Sequence, residues 1–420
     1  MSARLHTLSN GVRVLCDPMP GLQTVALSVV AGRGARYEDA ARSGWSHLLE
    51  HMVFKGAGGR SAREIAEVIE AEGGQINAAT AYERTSFHVR ALAGGLPLSM
   101  EVLADLVLRP TLAEDDLVRE KQVVEQEIAE AFDTPDDVVF ELAQEKAFAD
   151  QPLGRPILGT AKSIEIATPE SIGEWRAALY APDRLVVSAA GAVDEDELLQ
   201  LAERALGAEA GEGAPLAASD TFTGGQAPTT RALEQAHLVI LLPAPGAHDG
   251  DYFALRLFAE ALGGGMSSRL FQEAREKRGL AYSIDAYAET YSDTGVLGVY
   301  AGCQAKDAAE LARVTAAEIA GLGAQIGDAE LARCKAQLKA HLFMSAERPL
   351  VRAEQSAGQT LLFGHPLTSD HLAAAIDAVT SADIARVAER IVSPRRAACS
   401  VLGPKGAMKA PESFEKALFS

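Results

Sequence analysis

The sequence predicts an α+β protein of two tandem domains, and three observations carry that reading. At 420 residues, with 48% hydrophobic and 23% charged residues, the chain has the composition of an ordinary globular protein and the length for two separate cores. The order of strand-like and helix-like segments in its first half recurs in its second. Between the halves, from Leu206 through Pro228, the chain turns rich in Gly, Ala, Thr and Ser, which reads as an interdomain linker. A first domain is therefore expected at 1–212 and a second at 222–420.

Termini, cysteines and charge narrow the class. The run Met-Ser-Ala-Arg-Leu-His-Thr-Leu-Ser-Asn-Gly shows no basic stretch followed by an apolar one, and apolar runs such as Leu238-Val-Ile-Leu-Leu242 are too short to span a bilayer. Cys16, Cys303, Cys334 and Cys399 have no Cys-x-x-Cys spacing, so they suggest neither a zinc ribbon nor a redox motif, and they suit reduced thiols in a core. A cytoplasmic protein without a membrane partner is expected. A formal net charge of −19 argues against nucleic acid as a partner and favours basic ligands, or reflects solubility alone.

Taken in order, Val12-Arg-Val-Leu-Cys16 and Val25-Ala-Leu-Ser-Val-Val30 read as strands before a loop at Gly32 and Gly34. Ser43 is the expected cap of a helix that Gly56, Gly58 and Gly59 stop. Ser61-Ala-Arg-Glu64 forms a capping box that opens another helix ending at Gly73-Gly74. The period then changes to two, giving strands at Gln75 to Thr80 and Thr85 to Leu92 around the turn Tyr82-Glu83-Arg84. A second box, Thr111-Leu-Ala-Glu114, opens a long helix to about Phe132, with apolar residues at Leu117, Val118, Val123, Val124 and Ile128.

The first of these helices holds the chemistry. In Ser46-His-Leu-Leu-Glu-His51, His47 and His51 are four residues apart and Glu50 is three from His47, so all three project from one helical face. Imidazoles are good zinc ligands. A zinc ion with an open position lowers the pKa of its bound water to about 7, so a neighbouring carboxylate, here Glu50, can act as base. The order His-x-x-Glu-His is the inverzincin signature. A third protein ligand must come from elsewhere. The long helix carries Glu120, Glu125, Glu127 and Glu130, which a solvated acidic face would explain; Glu120 and Glu127, however, lie two turns apart and share a side.

On these residues the sequence resembles the pitrilysin-type zinc peptidases, specifically the branch with the mitochondrial processing peptidase and its bacterial relatives. The resemblance implies that His47, His51 and Glu127 hold one Zn2+ per chain, that Glu50 is the general base and that Glu120 supports the ligands. Gly73-Gly-Gln-Ile-Asn-Ala-Ala-Thr80 looks like the family segment whose edge strand pairs with substrate, which implies substrate contacts at Asn77 and Ala78. Tyr180-Ala-Pro182 and the apolar run Leu185 to Gly191 look like the end of the family's first domain.

The second half reads as a degenerate copy: a strand at Ala236–Pro243, a helix at Tyr252–Leu262, glycines, a helix, and paired strands near Tyr282–Cys303. Aligning Leu117-Val-Arg119 with Leu331-Ala-Arg333 puts Cys334 where Glu120 stands and His341 where Glu127 stands, so no second zinc site is expected. Gly263-Gly-Gly-Met-Ser-Ser-Arg269 lacks the Gly-Lys-Ser/Thr ending of a phosphate loop and follows a helix, not a strand. Arg275 and Tyr282 match an arginine and tyrosine that complete the site in active family members. Arginine suits a substrate carbonyl, and a tyrosine hydroxyl suits the oxyanion. The alternative for this pair is an exposed helix-end arginine and a core strand tyrosine.

The resemblance further implies that each domain is a mainly antiparallel sheet covered by helices, and that the chain is half of a clamshell. The expected function is a zinc metalloendopeptidase acting on peptide substrates, as a homodimer or as a heterodimer with a paralogous subunit. In such a dimer the zinc of one chain would meet Arg275 and Tyr282 of the partner subunit. The competing class is a non-catalytic assembly subunit of the same fold, like the core proteins of respiratory complexes. The chain lacks the long glycine-rich loop of the non-catalytic processing-peptidase subunit, and every ligand position is filled.

Overall fold

A computed structural model describes residues 3–213, 215 and 218–420. Within the linker expected at 206–228, positions 214, 216 and 217 lie outside the described residues. The chain forms two compact units: one takes the chain up to Ile128 with Pro156–Ala218 and Phe343–His371, the other Ala129–Arg155, Ser219–Leu342 and Leu372–Ser420.

The first unit is built on a six-stranded sheet in the order Arg4–Thr7, Arg13–Pro18, Leu185–Gly191, Thr24–Ala31, Thr85–Leu92, Gln75–Thr80. Every neighbouring pair is antiparallel except Arg13–Pro18 with Leu185–Gly191. Buried side chains alternate between the two faces. Val14, Cys16, Leu27, Val29, Phe87 and Val187 join one core with the helices Trp45–Val53, Leu96–Leu108 and Glu195–Leu206. Leu15, Val30 and Val186 point the other way and meet Ala357 of the helix Pro349–Phe363. That helix is also tied by charge: Arg352 makes a two-pronged ion pair with buried Asp17 at 2.5 and 2.7 Å, and Arg13 donates to the Thr360 carbonyl.

The second unit repeats this plan. Its sheet runs Ala281–Thr290, Thr294–Cys303, Ala236–Pro245, Ala398–Gly403, Gly225–Thr230, with only the last pair parallel. Read from the opposite end, this is the order and the parallel pair of the first sheet without its outermost strand Arg4–Thr7. One face packs on Tyr252–Gly263, Ala308–Ala324, Ser381–Val392 and Ala410–Phe419. The other receives Pro135–Ala147, whose Phe140 ring lies against Tyr287 and Tyr300 and whose Val139 carbonyl accepts from the Ser400 hydroxyl.

The sequence and the fold differ in three places. Contiguous domains at 1–212 and 222–420 follow the linker, whereas the compact units exchange a helix each: Pro135–Ala147 packs with the later sheet and Pro349–Phe363 with the earlier one. Ser43 does not cap the motif helix. Gly44 does, at φ 88°, and a Cβ there would stand 2.5 Å from the Leu158 carbonyl oxygen, so only glycine meets both demands. The long helix begins at Glu114, after Leu112 at φ 50°, so Thr111 precedes its cap position.

Candidate metal centre

The motif helix Trp45–Val53 is fixed before its chemistry begins. Its first amides, Gly44 N and Ser46 N, donate to the two carboxylate oxygens of buried Glu38 at 2.8 and 2.7 Å, which satisfies donors that Ser43 leaves free and places negative charge at the helix N-terminus. Trp45 Nε1 donates to the Ser163 carbonyl and Trp175 Nε1 to Ser46 Oγ. Six of its nine residues are buried, and the three left partly open are His47, Glu50 and His51.

Opposite it lies the helix Glu114–Asp133. Glu125 and Glu130 are exposed, as an acidic face would be, but Glu120 is buried and Glu127 partly so. One Glu127 oxygen, Oε2, stands 3.5 Å from His51 Nε2 and 3.8 Å from His47 Nε2. The three ligand atoms lie within 4.8 Å of one another. Among the described residues this Oε2 and His47 Nδ1 are buried without a hydrogen-bond partner. Glu120 Oε2 lies 3.1 Å from His51 Nδ1, which leaves His51 Nε2 as the atom facing the centre. Two imidazole nitrogens and a carboxylate, with an orphaned oxygen aimed between them, fit zinc, whose catalytic sites use such a His2Glu set. On the same long helix Val118 and Val123 are exposed rather than in the core.

Burial, and then the neighbouring charge of His51, push His47 down to about 4, so it is a neutral ring with a lone pair to offer. Burial pushes the Glu50 carboxyl up, and the hydroxyl of Thr80, donating to Glu50 Oε2 at 2.6 Å, opposes that. The charges of His51 and Glu127 also reach Glu50, the first lowering and the second raising it. A base in this position is steadied by the Thr80 hydroxyl and is readier to keep a proton than a free glutamate.

Thr80 ends the strand Gln75–Thr80, which is the outer strand of its sheet and pairs with Thr85–Leu92. Asn77 is exposed on that strand, and its side chain accepts from the Ala78 amide at 2.9 Å. Arg275 and Tyr282 belong to the second unit. Arg275 lies on the short helix Phe271–Lys277 with its guanidinium 4.6 Å from the Phe271 ring centre. Tyr282 is not a core tyrosine: it is 54% exposed, and its hydroxyl accepts from Gln304 Nε2 at 2.9 Å.

Sequence reasoning gave no role to two groups at this centre. Thr80 closes the segment that resembles the family's substrate strand, but nothing in a strand pattern says which helix its hydroxyl will meet. Lys55, whose Nζ is 2.7 Å from Glu120 Oε1, continues the four-residue spacing of His47 and His51 beyond the helix end.

The chain is similar to known proteins over nearly its whole length. Residues 13–161 match the family described as insulinase (peptidase family M16), and residues 167–338 match the peptidase M16 inactive domain. An uncharacterized zinc protease of Mycobacterium tuberculosis is 35% identical over 97% of this chain and 95% of its own. A protease from Helicobacter pylori superposes with a TM-score of 0.88 at 22% identity, over 96% of this chain and 99% of that one. A chain of complex III2 from Candida albicans, with Inz-5 bound, does so at 0.87 and 21%, over 99% of each. At those identities the structural likeness is one of fold.

Proposed function

Because the chain belongs to the insulinase-type peptidase family M16, a family of zinc peptidases, we propose that it is a zinc-dependent metalloendopeptidase of the processing-peptidase-like branch that cuts peptides or unstructured segments inside an enclosed chamber. One observation carries the reading: the Nε2 atoms of His47 and His51 converge on a single Glu127 oxygen, with Glu50 on the same helix face.

His47, His51 and Glu127 would hold a zinc ion, which would supply Lewis acidity toward the scissile carbonyl and the attacking water. Glu50, held by Thr80, accepts the proton of the attacking water and hands it to the leaving amine. The outer strand Gln75–Thr80 offers its free edge to an extended substrate near Asn77 and Ala78, and this strand also carries Thr80, so substrate alignment and base alignment share one element. Tyr282 donates to the oxyanion and Arg275 holds the substrate carbonyl, supplied by the partner subunit of a homodimer or by a paralogue. Filled ligand positions favour catalysis over the assembly-subunit reading, which the complex III2 likeness supports only at the level of fold.

The test is hydrolysis of an unstructured peptide and of a stable globular protein by the purified chain, before and after chelation and zinc return. Peptide cleavage that chelator abolishes and zinc restores, with the folded protein spared, is expected. A chain that neither retains zinc nor cuts peptide after reconstitution is an assembly subunit instead.

A further inference from the structure

The residue left over at the centre is Lys55. The motif helix ends at Val53, but the chain keeps turning: Phe54 N donates to the His51 carbonyl and Lys55 N to that of Met52. Lys55 therefore extends the stripe of His47 and His51 by four more residues. The facing helix presents Glu127 and Glu120 two turns apart, so the stripes interlock. Glu127 meets both histidines, and Glu120 meets His51 with one oxygen and Lys55 with the other, at 3.1 and 2.7 Å. The Glu120 side chain is only 5% exposed, so its direction is set by these two partners rather than by water.

Formal charge gives this contact a purpose. Glu50, Glu120 and Glu127 bring three negative charges to one small region, and a divalent cation answers two of them. The ammonium of Lys55 is the third positive charge. It meets Glu120 on the side away from His51, so the carboxylate is turned to receive the His51 Nδ1 proton and His51 presents Nε2.

We propose that Lys55 is a positioning residue for the metal centre: it pins Glu120 against His51 and thereby sets how tightly the three ligands hold zinc. The inference rests on the zinc-peptidase reading and concerns the strength of the site rather than its existence. Lys55→Met keeps the aliphatic stem and removes the charge, and Lys55→Arg keeps the charge. Zinc affinity is measured by competition with a chromophoric chelator, and the fold of each metal-free variant by circular dichroism and melting. Lys55→Met is expected to loosen zinc about tenfold, the lower end of the range for a lost outer partner of a metal ligand, because Glu120 itself stays in place. Lys55→Arg should stay within about threefold of the parent, and Lys55→Met combined with Glu120→Gln should be no weaker than Glu120→Gln alone. If Lys55→Met does not fold, Lys55→Gln, which retains a donor without charge, takes its place and should show the same loosening. A folded Lys55→Met or Lys55→Gln chain that binds zinc as tightly as the parent overturns the proposal. So does additive loosening in the double variant. A parent chain that binds no zinc would instead overturn the peptidase reading, so the two failures are distinct.

Discussion

The two units carry the same sheet order, yet their matching helices differ in what they can hold. In the first, Trp45–Val53 faces Glu114–Asp133 with two histidines and two glutamates at the contact. In the second, Tyr252–Gly263 and Asp328–Ser345 take the corresponding places in the chain, with Cys334 where Glu120 stands and His341 where Glu127 stands. Cys334 is buried like Glu120, but burial pushes its thiol up to about 11, so it stays protonated and ligates metal poorly. Glu260 is likewise pushed up by burial, partly offset by the charges of His341 and Arg256. Among the described residues only the first unit brings three ligand atoms together. The comparison teaches that burial at the Glu120 position belongs to the scaffold, whereas metal binding rests on a few side chains placed on it.

The strongest way to break this contrast is to remove ligands from both units. Alanine at His47, His51 or Glu127 should take zinc from about one per chain to nearly none and abolish peptide cleavage, whereas His341→Ala and Cys334→Ala should leave metal content unchanged. Elemental analysis of gently purified protein reads both. Next in size, Glu50→Gln should retain zinc and slow peptide hydrolysis by about 10²–10⁴, while Glu260→Gln leaves the rate within about twofold. Equal losses in the two variants would make Glu50 a structural carboxyl.

A third experiment sharpens the contrast by asking what the second unit contributes instead of metal. Tyr282→Phe should slow turnover about 10²–10³-fold, as expected for a lost oxyanion donor. If the chain pairs as the proposed homodimer, mixing Glu50→Gln and Tyr282→Phe chains under conditions of exchange should restore about a quarter of the parent activity, because about half the dimers would be mixed and each would have one intact site. Exchange without recovery would show that Tyr282 does not serve a partner's zinc.

The smallest effects concern the exchanged helices. Asp17 is buried against Arg352, so Asp17→Ala should cost about 3 kcal/mol in a urea melt. Asp136 is exposed and 3.3 Å from His237, so Asp136→Ala should cost under about 1 kcal/mol. Similar costs would mean that the two helices are held by the same means.

The reach of the sequence follows from how local each signal is. His47, Glu50 and His51 were legible because helical spacing alone puts them on one side, and Ser61 with Glu64 because a capping box closes within four residues. Glu127 needed the family resemblance, since two-turn spacing among four glutamates names a face but not its partner. Ser43 misled because the donors it would have capped are taken by Glu38, a carboxylate that no local pattern ties to them. The helix Pro349–Phe363 is the clearest limit. No local pattern in its sequence says that Leu15, Val30 and Val186 are what it covers.

That helix also fixes a timetable. The first sheet has all its strands once Gly191 is made, but its covering helix is complete only at Phe363. At the roughly 5–20 residues per second of synthesis, the gap of about 170 residues is about 10–30 s. During that wait Leu15, Val30 and Val186 lie bare on the nascent chain. Pro135–Ala147 has the opposite history, emerging before any strand of the sheet it will cover. A ribosome therefore releases neither half of this protein as a finished piece, and a holdase that binds apolar strand faces would find its longest opportunity between residues 191 and 363.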